Sequence, residues 1–148
     1  MTDYHALHQT LVSLTQNVPH RVANLANAAS LLYHMLNDLN WAGFYFLEGD
    51  TLVLSAFQGK PACIEIPVGK GVCGTAVQEE RTLVVPNVHA FPGHIACDSA
   101  SNSEIVIPLW KDGHVIGVLD IDSPILGRFT ETDREGLETF ARILEQVI

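Results

Sequence analysis

Apolar residues in the first quarter of the chain recur at intervals of three and four positions. This spacing is typical of a helix with one buried face, so we expect such a helix to begin near residue 22. A shorter helix is expected before it, over residues 3–16. The residues that form the apolar stripe are Val22, Leu25, Ala29, Leu32 and Leu36.

After residue 40 the pattern changes to short apolar runs joined by turn residues. The runs "WAGFYFLEG" and "TLVLSAFQG" meet at Gly49-Asp50, and "SEIVIPLWKDG" and "HVIGVLDID" meet at Asp112-Gly113. Dipeptides of this kind are typical of the tight turns in antiparallel hairpins. Between the two hairpins, "CIEIPV" and "TLVVPNV" are expected to form strands and "GVCGTAVQEE" a short helix.

The end of the chain has the pattern of an amphipathic helix with a defined start. Thr130 and Asp133 in "FTETD" resemble a helix cap, and the apolar residues that follow keep helical spacing. Strands between terminal helices predict an α+β fold, with a central antiparallel sheet flanked by N- and C-terminal helices. We expect one domain over residues 1–148, with the N-terminal helices in 1–39 and the sheet, one long loop and the C-terminal helix in 40–148.

Composition and charge narrow the class of protein. With 148 residues, 47% of them hydrophobic and 17% charged, the chain is expected to fold without disulfides or metal. Its net charge of −9 and its eight scattered Lys and Arg residues argue against nucleic acid as a partner. We find neither a secretory signal pattern nor a run of roughly 18 apolar residues. A soluble, cytoplasmic protein is therefore expected.

The longest irregular stretch extends from His89 to about Ser103. Loops of this length inside compact domains are usually lids or binding loops when they are ordered. Cys97 lies in this loop, within the polar sequence "HIACDSASNSEIVIPL". Free cysteines are ordinarily buried, whereas a reactive thiol is expected in a polar, exposed loop. Cys97 is therefore the candidate for thiol chemistry.

The other two cysteines leave several interpretations open. Three cysteines is an odd number, and a reducing compartment does not maintain structural disulfides, so thiol chemistry, metal binding and inert packing all remain. Cys63 begins a predicted strand. Cys73 lies at the start of a predicted helix, where the helix N-terminus would favour a thiolate. At that position alone, a small buried side chain is the interpretation that we favour.

Three carboxylates are expected to converge. Asp120 and Asp122 are two positions apart on a predicted strand and share one face, while Leu119 and Ile121 share the other. Such a pair indicates a bound cation, a bound ammonium group or one carboxyl with a raised pKa, and a solvated strand end is equally consistent with the spacing. Glu104 precedes the hairpin partner of this strand. All three acids could therefore line one pocket.

The aromatic residues of the first hairpin also alternate. Trp41, Gly43 and Tyr45 share one face of the strand, and Phe44 and Phe46 share the other. One face should belong to the core. The face with Trp41 and Tyr45 could line an apolar slot with polar tips, although packing in a core is the commoner explanation for an aromatic residue.

The spacing of residues in the long loop raises two further possibilities, a metal site and a Cys–His nucleophile. His89, His94 and Cys97 lie close in sequence, and Asp120 or Asp122 could complete a set of ligands. The spacing matches no standard zinc pattern, so no metal site is predicted. A hydrolase-like pair of Cys97 with either histidine has weaker support, because such sites depend on geometry and not on adjacency in sequence.

Five motifs, occurring in one order, resemble a known family. They are "FQGKPAC", "GKGVCGTA", "VHAFPGHIACD", "SEIVIPL" and "IGVLDIDSP". Together they are similar to the free methionine-(R)-sulfoxide reductases, which are enzymes built on a GAF domain. The resemblance extends from about Trp41 to the end of the chain and includes the spacing of the three cysteines.

The resemblance implies a role for each cysteine. Cys97 would be the nucleophile that attacks the sulfoxide sulfur of free methionine-(R)-sulfoxide. The resulting sulfenic acid would condense with Cys63, the main resolving cysteine. Cys73 would be an auxiliary thiol able to form a disulfide in some states. Thioredoxin would restore the thiols by exchange, and no metal or organic cofactor is implied.

The resemblance also assigns the pocket. Trp41 and Tyr45 would help to enclose the methyl group and side chain of the substrate, and Glu104, Asp120 and Asp122 would form an acidic cluster. Because the departing oxygen must be protonated, a neutral carboxyl is needed beside it, and Glu104 and Asp122 are the candidates for this general acid. Acidic side chains would also bind the ammonium group of the free amino acid. The long loop is expected to close over a small site.

Two other functions and one assembly remain open. A sensory GAF domain could hold a ligand in the same pocket without turnover. A thiol redox switch would respond to oxidant and not to a substrate. A homodimer through the N-terminal helices is plausible, but packing of these helices on their own sheet explains their apolar stripe equally well.

Overall fold

The computed structural model describes residues 1–95 and 97–148, and Ala96, within the long loop, lies outside the described residues. Four helices and six strands follow one another in the order expected from the sequence. The helices are α1 (Tyr4–Thr15), α2 (Arg21–Met35), α3 (Gly71–Glu79) and α4 (Glu131–Glu145). The strands are β1 (Trp41–Glu48), β2 (Thr51–Gly59), β3 (Glu65–Pro67), β4 (Leu83–Val85), β5 (Ser103–Lys111) and β6 (His114–Ser123).

The six strands form one sheet in the order β3-β2-β1-β6-β5-β4, and each neighbouring pair is antiparallel. Both predicted hairpins are confirmed. The second one turns at Asp112 and Gly113, whose φ angles of 52° and 79° are those of a tight hairpin turn. The α+β class predicted from the sequence is therefore confirmed.

The two strands between the hairpins are shorter than expected. The segment "CIEIPV" forms only the three-residue strand β3, and "TLVVPNV" forms β4 followed by a 3-10 turn at Val88–Ala90. Pro67 and Pro86 stand at the ends of these strands. Because proline has no N–H to donate to a sheet ladder, it ends the pairing there.

Each face of the sheet contacts different helices. On the first face, α1, α2 and α4 pack on apolar side chains of β1, β5 and β6, and we call this the helical face. It includes Phe44, Ile105, Ile107, Leu119 and Ile121, all of them fully or almost fully buried. On the second face, α3 packs on residues such as Tyr45, Val106 and Val118. We call the second face the α3 face.

The predicted stripe of α2 is confirmed with one exception. Leu25, Ala29, Leu32 and Leu36 are buried, but Val22 is 74% exposed. Val22 lies in the first turn of α2, at the edge of a buried face that also includes Asn24 and Ala28. The rest of the stripe packs within its own chain, so it no longer supports a dimer through these helices. The homodimer stays a prediction.

The predicted cap of α4 is confirmed and also connects the two ends of the chain. The Asp133 N–H donates to Thr130 Oγ1 at 3.2 Å, and the Thr130 N–H donates to Asp133 Oδ2 at 2.9 Å. Tyr4 on α1 donates its hydroxyl to Asp133 Oδ1 at 2.6 Å. The first and last helices are therefore joined at the cap. Among the helices described, none is long and apolar enough to cross a membrane.

Candidate active site

A pocket of about 530 Å³, part of it open to solvent, lies on the α3 face of the sheet. The ends of β1, β5 and β6 form its floor, the start of α3 forms one wall, and the long loop covers it. Every residue that the sequence assigned to catalysis or substrate binding lines this pocket, with the exception of Cys63. The assigned residues that line it are Trp41, Tyr45, Cys73, Cys97, Glu104, Asp120 and Asp122.

Cys63 and Cys97 form a disulfide at the edge of this pocket. Their Cα atoms are 5.5 Å apart, although 34 positions separate them in the chain. Both residues are half-buried, so Cys97 is less exposed than its polar loop suggested. Cys73 is buried and carries a free thiol. The pairing is the one that the family resemblance implied.

The three carboxylates converge because of the register between β5 and β6. Glu104 is paired with Asp122, and Val106 with Asp120, so that the acids point to the same face of adjacent strands. Glu104 and Asp120 are each only 6% exposed. The predicted convergence is confirmed, and the alternative of a solvated strand end is wrong.

Burial sets the protonation of this cluster. Removal from water, followed by the charges of Asp120 and Asp122, raises the pKa of Glu104 well above its usual range. Burial also raises the pKa of Asp122 well above its usual range. The pKa of Asp120 is raised by burial, but hydrogen bonds from Glu104 and Cys73 act in the opposite direction. Burial therefore favours the neutral form of all three carboxyls, and hydrogen bonds oppose this effect at Asp120.

Cys73 belongs to the same cluster. Its Sγ and one carboxylate oxygen each from Glu104 and Asp120 lie within 4.8 Å of one another. Burial, and next the charge of Asp120, raises the pKa of the Cys73 thiol well above its usual range. A thiolate stabilised by the N-terminus of α3 is therefore not what the structure favours, because loss of water and nearby carboxylates outweigh the helix terminus. The buried interpretation of Cys73 is confirmed.

The two aromatic residues serve the core and the pocket together. Trp41 and Tyr45 are 3% and 2% exposed, and their rings stack with centroids 5.9 Å apart. Trp41 donates from Nε1 to the carbonyl of Lys60 at 3.1 Å, and Tyr45 donates its hydroxyl to the carbonyl of Cys63 at 2.9 Å. Their polar tips are therefore held by the segment around Cys63, and their ring faces form an apolar wall.

The histidines of the loop form neither the metal site nor the Cys–His pair that the sequence left as possibilities. His94 Nε2 lies 3.9 Å from Glu104 Oε1, beyond hydrogen-bond distance. Burial, and next the charge of His89, lowers the pKa of His94, which favours its neutral form. His89 is exposed and shares a 2.9 Å hydrogen bond with Asn102. Since Cys97 is bonded to Cys63, neither histidine acts as a partner of its thiol in this state.

Three residues near Cys97 were missed by the sequence analysis. Asp98 and Ser101 line the pocket, and Asn40 donates hydrogen bonds to both of them. The position of Asp98 directly after Cys97 was a signal that could have drawn attention to it. Asn40 gives no such signal, because it lies 57 positions before Cys97 and comes to it only through the sheet.

Comparison with known proteins reveals extensive similarity. The model of the GAF domain family matches residues 10–148. The free methionine-R-sulfoxide reductase of Escherichia coli is 59% identical over 127 residues, which are 86% of this chain and 77% of that protein. The free methionine-R-sulfoxide reductase of Saccharomyces cerevisiae is 47% identical over 133 residues, 84% of this chain and 74% of that protein.

Solved structures agree with this similarity. The X-ray structure of free methionine-R-sulfoxide reductase from Neisseria meningitidis in complex with its substrate has a TM-score of 0.94 and 46% identity. The similarity covers 97% of this chain and 87% of that one. The reduced form of fRMsr from Staphylococcus aureus has a TM-score of 0.96 and 52% identity, over 99% of this chain and 96% of that one. Fold and sequence therefore point to the same family.

Proposed function

Because this chain belongs to the free methionine-R-sulfoxide reductases, oxidoreductases with a GAF domain, we propose that it reduces free L-methionine-(R)-sulfoxide to L-methionine. Cys97 acts as the nucleophile and Cys63 as the main resolving cysteine. Glu104 and Asp122 supply the proton for the departing oxygen, and Trp41 and Tyr45 enclose the methyl group and side chain of the substrate.

The observation that carries this proposal is the Cys63–Cys97 disulfide at the edge of a pocket that contains buried carboxyls. A sensory pocket has no need for a pair of cysteines joined across 34 positions. A thiol redox switch explains the disulfide but gives no reason to bury three acids beside it, because unpaired buried carboxylates destabilise a fold. A reaction that consumes a proton next to a thiol explains both features.

In the first step, the Cys97 thiolate attacks the sulfoxide sulfur. A bond forms between the two sulfur atoms while the sulfoxide oxygen takes a proton from a neutral carboxyl. The resulting hydroxyl group then moves to the Cys97 sulfur, as the substrate's sulfur–oxygen bond and the new sulfur–sulfur bond break, and Cys97 becomes a sulfenic acid. The sulfoxide is thereby reduced to the thioether of methionine. Glu104 and Asp122 suit the role of general acid because burial raises the pKa of both carboxyls well above the usual range, which favours their protonated form. Asp120 then carries the negative charge that the ammonium group of a free amino acid requires.

In the second step, the Cys63 thiol condenses with the sulfenic acid of Cys97 and releases water. The product is the disulfide that the structure contains. An external dithiol then restores both thiols by exchange and is itself oxidised, and we propose thioredoxin, in the cytoplasm, as this reductant. Over the whole cycle, one sulfoxide and one dithiol become methionine, one disulfide and water.

The decisive experiment follows the formation of free methionine from each separated epimer of methionine sulfoxide, with dithiothreitol as reductant. We expect turnover of the R epimer alone and a loss of more than about a thousandfold in Cys97→Ser, since a hydroxyl is a far weaker nucleophile than a thiolate. Cys63→Ser is the matched control, because it keeps the nucleophile and should still form about one methionine per chain without any added reductant. If the wild-type protein reduces neither epimer, the proposal is wrong and a sensory GAF pocket becomes the better explanation.

A further inference from the structure

Asn40, directly before β1, connects the loop of Cys97 with the sheet. Its amide nitrogen Nδ2 donates to Asp98 Oδ2 at 3.0 Å and to Ser101 Oγ at 2.9 Å. Its backbone N–H donates to the carbonyl of Asp122 at 3.0 Å. One residue therefore joins the strand that carries Asp122 to the residue that directly follows Cys97.

The remaining hydrogen bonds of this part of the loop are local. The N–H groups of Ala100 and Ser101 donate to the Asp98 side chain and carbonyl, and the Cys97 N–H donates to Ile95. Over the described residues, the hydrogen bonds that reach 97–101 from outside the loop both come from Asn40. Once the disulfide opens, the amide of Asn40 supplies the hydrogen bonds that join Asp98 and Ser101 to the sheet. The next residue, Asn102, is held separately by its own N–H, which donates to the Ser123 carbonyl at 2.8 Å.

The contact between Asn40 and Asp98 has a fixed donor and a fixed acceptor. Asp98 accepts from Ala100 at Oδ1 and from Asn40 at Oδ2, and these two hydrogen bonds lower the pKa of its carboxyl. An ionised carboxylate has no proton to donate, so the contact needs a donor at position 40. Asn40 Oδ1 is buried without a hydrogen-bond partner among the described residues. The side chain is therefore used only as a donor.

We propose that Asn40 is a positioning residue of the reductase reaction, whose amide holds the Cys97 loop against the end of β6 and so fixes the place of the Cys97 sulfur when the disulfide is open. This inference rests on the proposed function. The substrate contacts assigned above do not include Asn40, so its effect should reach the reaction through the loop.

The test exchanges donor and acceptor. Asn40→Asp places two carboxylates against each other, and Asp98→Asn places two amide donors against each other. The double variant Asn40→Asp/Asp98→Asn restores the contact with reversed polarity. In it, the amide introduced at position 98 would donate from its nitrogen to the new carboxylate, while its oxygen still accepts from Ala100. Asn27→Asp, on the exposed side of α2, is the control for an added negative charge.

We expect each single variant to lower kcat about tenfold or more with a smaller change in KM, because the loop that carries Cys97 loses its contact with the sheet. The charge of Asp98 also raises the pKa of Asp122, but the two single variants change the local charge in opposite directions, so a loss that both share is due to the contact. The double variant should recover to within about threefold of wild type. The ratio of kcat between Asn40→Asp and wild type should rise as the pH falls from about 8 to about 5.5, since protonation of one carboxyl lets the pair share a hydrogen bond. Asn27→Asp should behave as wild type.

A second readout does not depend on turnover. In the reduced protein, alkylation of Cys97 by iodoacetamide, measured by peptide mass spectrometry, should be faster in both single variants and return to the wild-type rate in the double variant. The inference is overturned if Asp98→Asn, which keeps Asn40 intact, has the wild-type kcat and alkylation rate, or if the double variant is no better than the single ones. Absence of turnover in the wild type would instead overturn the proposed function, and the alkylation rates would still show whether the amide of Asn40 holds the Cys97 loop in place.

Discussion

The helical face and the α3 face of the sheet share the strands β1, β5 and β6, but these strands bury different chemistry on each face. On β6, Leu119 and Ile121 point into the helical face, and Asp120 and Asp122 point into the pocket. On β5, Ile105 contributes to the helical face, directly after Glu104. Successive side chains of a strand alternate between the two faces. The register that points the apolar residues into the helical face therefore also points the acids into the pocket.

Burial of apolar side chains stabilises both faces, whereas the burial of carboxyls, which serves reactivity, is confined to the α3 face among these strand residues. The apolar side chains of the helical face gain free energy when they leave water. The carboxyls of the α3 face lose hydration, which costs free energy for the charged form, and the pKa of Glu104 is raised for this reason. The fold can keep such groups because apolar packing on both faces supplies its stability.

Leu119 and Asp120, adjacent on β6, give the sharpest contrast between the faces. Leu119 is 0% exposed, so Leu119→Ala should lower the free energy of unfolding by about 2–5 kcal/mol through the cavity it leaves. Asp120→Asn should change that free energy by less than about 1 kcal/mol but raise KM about tenfold to a hundredfold, because the ammonium group loses a charged partner. Urea denaturation and steady-state kinetics measure the two effects.

An exchange of these two effects would contradict the different roles of the two faces. Leu119→Ala, assayed where it is fully folded, should keep kcat and KM within about threefold of wild type. A large loss of kcat in that variant would show that the helical face also shapes the site. A loss of several kcal/mol in Asp120→Asn would show that the acidic cluster stabilises the fold.

Glu104→Gln should reveal the cost of burial as a dependence on pH. The pKa of a glutamate in an unfolded chain is about 4.3, and burial raises the pKa of Glu104 in the folded chain well above it. Between these two values the unfolded chain has released a proton that the folded chain keeps, so the free energy of unfolding falls as pH rises. Wild type should therefore lose stability relative to Glu104→Gln from about pH 4.5 upward, as measured by urea denaturation.

Glu131→Gln is the matched control, with the opposite sign. Glu131 is exposed on α4, and a hydrogen bond from Arg134 lowers its pKa. Its contribution to stability is present above the unfolded pKa and lost as pH falls, so wild type should gain relative to Glu131→Gln as pH rises. If both variants gave the same slope of unfolding free energy against pH, the buried carboxyl would not be the cause.

Glu104→Gln should also lower kcat about a hundredfold, as expected for the loss of a general acid.

Sequence periodicity predicted most of the fold because each strand and helix buries one regular face. The hairpins, the stripe of α2 and the cap of α4 followed from local spacing and turn residues. Val22 was assigned wrongly because the buried face of α2 is centred on Leu25, Ala28 and Leu32, and helical spacing places Val22 at its edge. The organisation of residues 1–148 as one domain, with a boundary near residue 39, stays a prediction.

The pocket was predictable in part. The alternation of Asp120 and Asp122 and the position of Glu104 predicted the convergence, because a two-residue period fixes the face of each side chain. The Cys63–Cys97 pairing came from resemblance to a family and not from spacing. Asn40 was missed because the contact between its amide and Asp98 depends on how a long loop returns to the sheet, which no local pattern encodes.

The smallest effect is expected at the cap of α4, whose residues do not line the pocket. Thr130→Ala removes the acceptor for the Asp133 N–H and should cost about 1 kcal/mol of unfolding free energy, with kcat and KM unchanged. Thr139→Ala is matched to it, because Thr139 is exposed in the middle of the same helix and its hydroxyl donates to the Glu135 carbonyl and to no other group in the part of the chain that the structure describes. Alanine is a good helix former there, so no loss of stability is expected. Equal losses in the two variants, measured by urea denaturation, would show that the hydroxyl of Thr130 does not act as a cap.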